Sequence, residues 1–164
     1  LIVVMVLISL MTSFAVPQIR SALFVDELKA AGRGLVGLVA EIGQEARTKR
    51  STITLRFDQE KNAFSGRVLQ GGAAEVSRTR PWELHIDEVV QVVGIKTAHG
   101  SEESELSDET VIVFDSRGYV DKTAVHFRHQ NGEELTVILS PFLGVTKVLE
   151  GHVTLEDDRF VVER

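Results

Sequence analysis

The sequence predicts an α+β fold in which one long N-terminal helix packs on an antiparallel β-sheet or β-sandwich. Two observations support it. Residues 1–48 carry apolar and then helical patterning, and from residue 52 onward short runs of alternating apolar and polar residues are separated by turns. No second helical pattern follows, so the order is helix first and strands after, not alternating β-α-β units. We see one domain and no internal repeat.

The helix begins with a run of apolar residues. Residues 1–19 hold no charged side chain, and the first charge is Arg20. The run is close to the roughly 20 residues that cross a bilayer core, and it starts without Met, so we expect further residues upstream. It is open to three interpretations: a signal peptide cleaved after Ala15, a buried core helix, or a retained membrane anchor. We favour the anchor because the helical pattern does not stop after Pro17.

The second part of the helix, residues 20–48, is amphipathic. Charged residues occupy one face, and the other carries an apolar stripe at spacings of three and four: Val25, Leu28, Ala31, Leu35, Leu38, Ile42 and Ala46. Pro17 is expected to kink or locally unravel the helix, since it removes one backbone hydrogen bond. Four glycines lower the helix propensity, and we favour close packing on a sheet over local flexibility as their reason: Gly32, Gly34, Gly37 and Gly43.

The β part, residues 52–164, is predicted from alternation and turn signals. Ile53, Leu55 and Phe57 alternate with polar residues and should point inward. Asn131-Gly132 is a strong hairpin signal, and residues 98–109 form an acidic loop. The strands are predicted at 52–57, 63–69, 82–86, 89–95, 110–115, 124–129, 135–139, 145–149, 153–155 and 160–162, with a loop between Gly71-Gly72 and Pro81.

A search for chemistry gives no catalytic, cofactor or metal site. The net charge of −6 supplies no basic face for nucleic acid, and the absence of cysteine excludes disulfides and thiolate metal sites. His126 and His129 are three apart on one strand and point to opposite faces, so they cannot bind one metal ion together. We interpret the five histidines as ordinary surface residues. The acidic loop could bind calcium but matches no EF-hand spacing, and we favour a solvated loop. The glycines at 32, 34 and 37 match a dinucleotide spacing in the wrong context, within a helix. We expect no enzyme.

Two stretches of the chain nevertheless resemble a known family. The apolar run ending in Ala15-Val16-Pro17-Gln18-Ile19 is similar to the second part of the type IV pilin-like N-terminus. The remainder resembles the H-type minor pseudopilins of type II secretion, the GspH/FimT domain family. This second likeness is carried by the helix end Glu45-Ala46-Arg47, the strand at 52–57, and the stretches at 111–118 and 135–146, each a strand leading into a turn with Gly.

The resemblance implies a structural subunit. Residues 1–19 would be a single-pass anchor in the bacterial inner membrane, and residues 20–164 a periplasmic domain. The partners implied are other pseudopilins or pilins of the filament, the inner-membrane assembly platform and the prepilin peptidase; no nucleic acid and no cofactor are expected. The anchor and filament-core contacts would be Leu1, Val4, Leu7, Leu10, Phe14 and Pro17. The sheet would be held on the helix by Leu28, Leu35, Leu38 and Ile42.

The sequence also departs from the family pattern. The peptidase motif is absent, because its glutamate would fall just upstream of Leu1, and the usual basic or aromatic residue is missing at Leu143. Three functions therefore remain as hypotheses: a minor pseudopilin of a type II secretion pseudopilus, which we favour; a minor pilin of a type IV pilus, acting in initiation or DNA uptake; and a secreted binding domain whose signal peptide is removed.

Overall fold

The described part of the chain forms one long helix followed by nine strands. A computed structural model describes residues 2–70, 73–75, 82–98, 111–140 and 146–156; within it, the side chains at 7–10, 12–26, 70 and 73–75 are not described. Helix α1 (Ile2–Lys49) continues through Pro17 without a break. The nine strands are β1 (Thr52–Asp58), β2 (Ala63–Gln70), β3 (Ala73–Glu75), β4 (Trp82–His85), β5 (Val90–Thr97), β6 (Val111–Phe114), β7 (Thr123–His129), β8 (Glu134–Leu139) and β9 (Thr146–Glu150).

The end of α1 is closed by backbone geometry. Arg50 adopts a positive φ of 50°, and the Ser51 amide donates to the Ala46 carbonyl at 3.1 Å, as in a Schellman cap. Arg47 and Lys49 lie in the last turn, where cations suit the negative end of the helix dipole. The cap reverses the chain into β1, which therefore runs back along the helix.

The strands form two antiparallel sheets. In the first, the order is β3-β2-β1-β6, and β4 pairs with the part of β2 that β3 leaves open. In the second, the order is β5-β7-β8-β9, with a bulge in β5 between Val92 and Gly94. The predicted α+β class is confirmed, and the sheet portion consists of two sheets.

The core lies between the helix and both sheets as one cluster of buried side chains. Ile53, Leu55 and Phe57 face into it, which confirms the inward side predicted for β1. The two sheets meet through aromatic rings, because Phe64 of β2 lies 6.5 Å from Phe127 of β7, centroid to centroid. The helix from Leu28 onward covers this junction, which fixes the direction in which α1 leaves the domain.

Most predicted strands lie within two residues of the observed ones. The exceptions have physical reasons. β3 lies inside a stretch predicted as a loop, and it is only three residues long. The strand predicted at 153–155 is wrong, because the chain there crosses over the second sheet without joining its edge. The strand predicted at 160–162 and the acidic loop at 101–109 lie outside the described residues.

Candidate functional site

The first turns of α1 present apolar side chains that no described residue of the chain covers. Val3 is 77% exposed and Met11 67% exposed, far above the values of core residues. Contiguous apolar surface of this kind is costly in water and marks a region that packs on other molecules or lipid. The members described are Ile2, Val3, Val4, Met5, Val6 and Met11. We call this set the exposed apolar segment.

Of the six anchor residues predicted from the sequence, only Val4 has a described side chain. Val4 belongs to the exposed apolar segment at 58% exposure. Leu1 and the side chains of Leu7, Leu10, Phe14 and Pro17 lie outside the described residues. Within the part of the chain that the structure describes, no helix meets the length and apolarity needed to cross a bilayer. The transmembrane assignment of residues 1–19 therefore stays a prediction.

The second half of α1 is packed on the sheets along its apolar stripe. All four residues assigned to helix–sheet packing are in the core: Leu28, Leu35, Leu38 and Ile42. Gly32 and Gly34 allow the close approach, since a Cβ on either would lie about 3 Å from Leu135 or Leu84. Gly37 differs, because a Cβ there would meet open space. Close packing thus accounts for two of these three glycines.

A partly buried hydrogen bond between Glu27 and His129 holds the helix where it leaves the domain. The Glu27 carboxylate lies 3.0 Å from His129 Nε2, and the His129 side chain is only 3% exposed. The Asn131 amide donates to His129 Nδ1 at 3.1 Å, so that nitrogen carries no proton. Nε2 must therefore carry the proton and donate it to Glu27. The β7–β8 turn thus sets the histidine tautomer that binds the helix.

A second contact at the same place is more exposed. Lys29 Nζ lies 3.2 Å from a Glu150 oxygen, with side chains 41% and 80% exposed. Exposed pairs of this type contribute little, about 0–1 kcal/mol. The buried His129 is therefore the stronger restraint on the direction of the helix at Glu27.

The other end of the packed half is held by a tight turn after β6. Gly118 has a φ of +79°, and a Cβ there would overlap the Gly43 carbonyl and lie 2.7 Å from Arg47 Cγ. Asp115 organises the turn by accepting from the amides of Arg117 (2.8 Å) and Tyr119 (2.9 Å). Burial raises the pKa of Asp115, but these amides and the Arg117 guanidinium together hold it below its usual range.

The histidine assignment from the sequence needs a correction. His126 and His129 are not surface residues; they are 2% and 4% exposed. Their side chains do have different partners, Thr136 for His126 and Glu27 for His129. Among the described residues, no group of three or more His, Asp or Glu side chains is arranged to hold a metal ion. The acidic loop at 101–109, for which we favoured solvation over calcium binding, lies outside the described residues.

Sequence patterns did not predict the two contacts that hold the packed half of α1, Glu27 with His129 and Gly118 with Gly43. Glu27 and His129 are 102 residues apart, so no local pattern joins them. For Gly118 a signal existed, because Ser116-Arg117-Gly118 is a turn sequence that favours a positive φ. That signal predicts the turn but not its contact with Gly43.

The described fold is similar to that of known type IV pilin-like structures. No family model and no curated protein sequence matches the chain significantly. Two structures of the minor pseudopilin EpsH from the type 2 secretion system of Vibrio cholerae do match in three dimensions. One has a TM-score of 0.58 at 14% identity, covering 79% of this chain and 98% of EpsH. The other has a TM-score of 0.56 at 12% identity, covering 76% and 97%.

A third similar structure comes from a different filament system. The type IV minor pilin FimU of Pseudomonas aeruginosa matches with a TM-score of 0.52 at 16% identity, covering 76% of this chain and 89% of FimU. At these identities the likeness concerns the fold. The chain has a type IV pilin-like fold similar to that of H-type minor pseudopilins, as its sequence motifs suggested.

Proposed function

We propose that the chain is a pilin-like filament subunit, and specifically a minor pseudopilin of a type II secretion pseudopilus. The observation that carries the proposal is the division of α1. Its first turns expose apolar side chains, while its second half is fixed to a folded domain. A subunit that stores its helix in a bilayer and then packs it with others needs this arrangement.

The exposed apolar segment of α1 needs an apolar environment, because its side chains are costly to leave in water. Lipid chains and neighbouring apolar helices are both suitable cover for Val3, Val4 and Met11. In this proposal residues 1–19 lie in the bacterial inner membrane, and residues 20–164 lie in the periplasm. The partners are other pseudopilins, the inner-membrane assembly platform and the prepilin peptidase. The role is structural, and no catalysis is assigned.

The direct experiment is an assembly assay with matched substitutions on one helix. Val4→Arg adds a cation to the exposed apolar segment, and Ala40→Arg adds the same cation to an exposed position of the packed half. We expect Val4→Arg to abolish both membrane retention and cross-linking to neighbouring subunits. Ala40→Arg should retain both. Equal behaviour of the two variants would contradict the proposal.

A cleaved signal peptide predicts a different mature protein. If the chain were a secreted binding domain, the mature protein would lack residues 1–15 and its mass would be lower by that amount. Intact mass spectrometry of the protein from its host distinguishes the two cases. The proposal requires residues 1–15 to be present in the membrane-bound form.

A minor pilin of a type IV pilus is the second candidate, because the fold is also similar to FimU. The likeness to EpsH and to FimU concerns the fold in both cases, so a functional experiment is needed to choose between the two roles. Deletion of the gene separates the two. Loss of protein export with intact pili supports the pseudopilin, and loss of pili with intact export supports the pilin.

A further inference from the structure

The chain turns back over the second sheet after β9. Gly151 makes this turn with a φ of +86°, and its amide donates to the Glu134 carbonyl at 2.8 Å. Residues 151–156, which we call the strap, then cross the face of β8 and β7 that points away from the helix. Lys122, just before β7, holds the far end by donating from Nζ to the Leu155 carbonyl at 3.1 Å.

One threonine fixes the middle of the strap. The Thr136 hydroxyl donates to the Gly151 carbonyl at 2.7 Å and accepts from the Val153 amide at 3.1 Å. His126 Nδ1 lies 3.0 Å from the same oxygen. Because the single hydroxyl proton already points to a carbonyl, Nδ1 must be the donor in this contact. Neutral His126 therefore carries its proton on Nδ1.

In this tautomer the other ring nitrogen of His126, Nε2, carries no proton. Nε2 is fully buried and has no hydrogen-bond partner in the described part of the chain. The His126 ring stacks on His152 of the strap, with centroids 4.1 Å apart and planes inclined by 16°. His152 Nδ1 in turn lies 3.2 Å from a Glu134 oxygen. The strap thus closes over a histidine that is 2% exposed.

The charged groups around His126 come from every element packed against it. β5 supplies Lys96, β8 supplies Glu134, and the strap supplies His152. On β7 itself Arg128 is paired with Glu134 at 2.7 Å, which draws that carboxylate toward another cation. A charged His126 would therefore have two cationic neighbours and one carboxylate already shared between Arg128 and His152.

We propose that the strap is a pH-sensitive cover: protonation of His126 detaches residues 151–156 from β7 and β8 while the rest of the domain stays folded. The new proton would sit on Nε2, a buried donor with no acceptor among the described residues, against the stacked ring of His152. Detachment gives both rings access to water. It also uncovers the outer face of β7 and β8, which carries Thr136 and His126.

The direction of the pH dependence follows from the same contacts. Burial, then the charges of His152 and Lys96, lower the pKa of His126 to about 4, and Glu134 opposes them. A detached histidine titrates near its ordinary value of about 6.5. The strap is therefore fully attached above about pH 6.5, and its attachment weakens as the pH falls toward about 4, by about two orders of magnitude in equilibrium constant. Below that range no further weakening comes from His126.

Hydrogen exchange measured by NMR on the full chain in detergent micelles tests the proposal. The Val153 amide, bonded to Thr136, reports on the strap, and the Val137 amide in β8 reports on the sheet. Between pH 7.5 and pH 4, we expect the protection factor to fall about 100-fold or more at Val153 and to hold at Val137. The fall should coincide with titration of the His126 ring. Val153 protection that survives His126 titration, or is lost together with that of Val137, overturns the proposal.

A pair of substitutions assigns the effect to one histidine. His126→Gln removes the titrating group, and His85→Gln does the same at an exposed histidine whose side chain is 68% accessible. We expect Val153 protection to become independent of pH only in the first variant. Persistence of the pH dependence in a folded His126→Gln chain overturns the proposal. His152→Phe, which keeps the stacked ring and removes its charge, should raise the measured pKa of His126; an unchanged value also overturns it.

Discussion

The two halves of α1 differ in environment although they form one continuous helix. In the first turns, Val3 and Met5 are 77% and 63% exposed; in the second half, Leu35 and Ile42 are fully buried. Apolar residues are therefore present in both halves, but among the described residues only those of the second half pack against the sheets. The difference shows that hydrophobicity alone does not distinguish a helix that packs within its own domain from one whose apolar side chains stay exposed.

The arrangement of polar residues makes the distinction. A helix packed on one sheet needs a polar outer face, and residues 27–49 have one with Arg33, Glu41 and Gln44 exposed. Residues 1–19 have no charged face, so water is an unsuitable neighbour on every side. Equal substitutions in both halves of α1 test this difference in environment.

The largest effect is expected from the same truncation at two isoleucines. Ile42→Ala removes a fully buried side chain and should lower the free energy of unfolding by about 2–5 kcal/mol. Ile2→Ala, at a position 78% exposed, should change it by less than about 0.5 kcal/mol. Chemical denaturation followed by fluorescence of the single tryptophan, Trp82, measures both, because that residue is buried in the domain. Similar losses from the two changes would contradict the division of the helix.

A substitution at the turn tests the attachment of the packed half. Gly118→Ala should cost more than the roughly 1 kcal/mol expected from a positive φ alone, since the methyl also overlaps Gly43. Gly132→Ala is the matched control, because its φ is +91° and a Cβ there meets open space. The same denaturation assay compares them. If the control loses as much stability as Gly118→Ala, the contact with the helix has no separate effect.

A smaller loss is expected at the point where the helix leaves the domain. Glu27→Gln keeps the size of the side chain but removes its charge, and should lower stability by about 1 kcal/mol, since Glu27 is partly exposed. A double-mutant cycle with His129→Phe measures the coupling. A coupling energy near zero would mean that the pair does not hold the helix.

The smallest effect is expected from the neighbouring exposed pair. Lys29→Ala removes the contact with Glu150 and should change stability by less than about 0.5 kcal/mol at physiological salt. A loss as large as that of Glu27→Gln would show that the exposed contact, not the buried histidine, restrains the helix.

Local patterns predicted much of the fold. The alternation at Ile53, Leu55 and Phe57 gave both β1 and its inward side, and Asn131-Gly132 gave the β7–β8 hairpin. The failures are non-local. The chain at 153–155 has strand-like residues, but its position depends on the hydrogen bond from the Val153 amide to Thr136, 17 residues earlier in the sequence. A period-two pattern cannot tell whether a segment joins a sheet edge or crosses its face.

The candidate site was predicted only where periodicity carries the information. The stripe through Leu28 and Ile42 identified the packed face, and the lack of charge identified the first turns as unusual. The burial of His126 and His129 was missed, because it depends on the strap and on Glu27, neither of which is adjacent in sequence. Polar contacts between residues far apart in sequence leave no local pattern, so they are recognised only in the folded structure.

Chemical labelling compares how well the two halves of α1 are covered. The sequence has no cysteine, so only the introduced thiol reacts. Val4→Cys and Ala40→Cys are compared in intact membranes with a water-soluble maleimide. We expect rapid labelling of Ala40→Cys, and labelling of Val4→Cys only after detergent or denaturant is added. Equally fast labelling of both variants in intact membranes would show that the first turns of α1 are exposed to water there, and would contradict the proposed division of the helix.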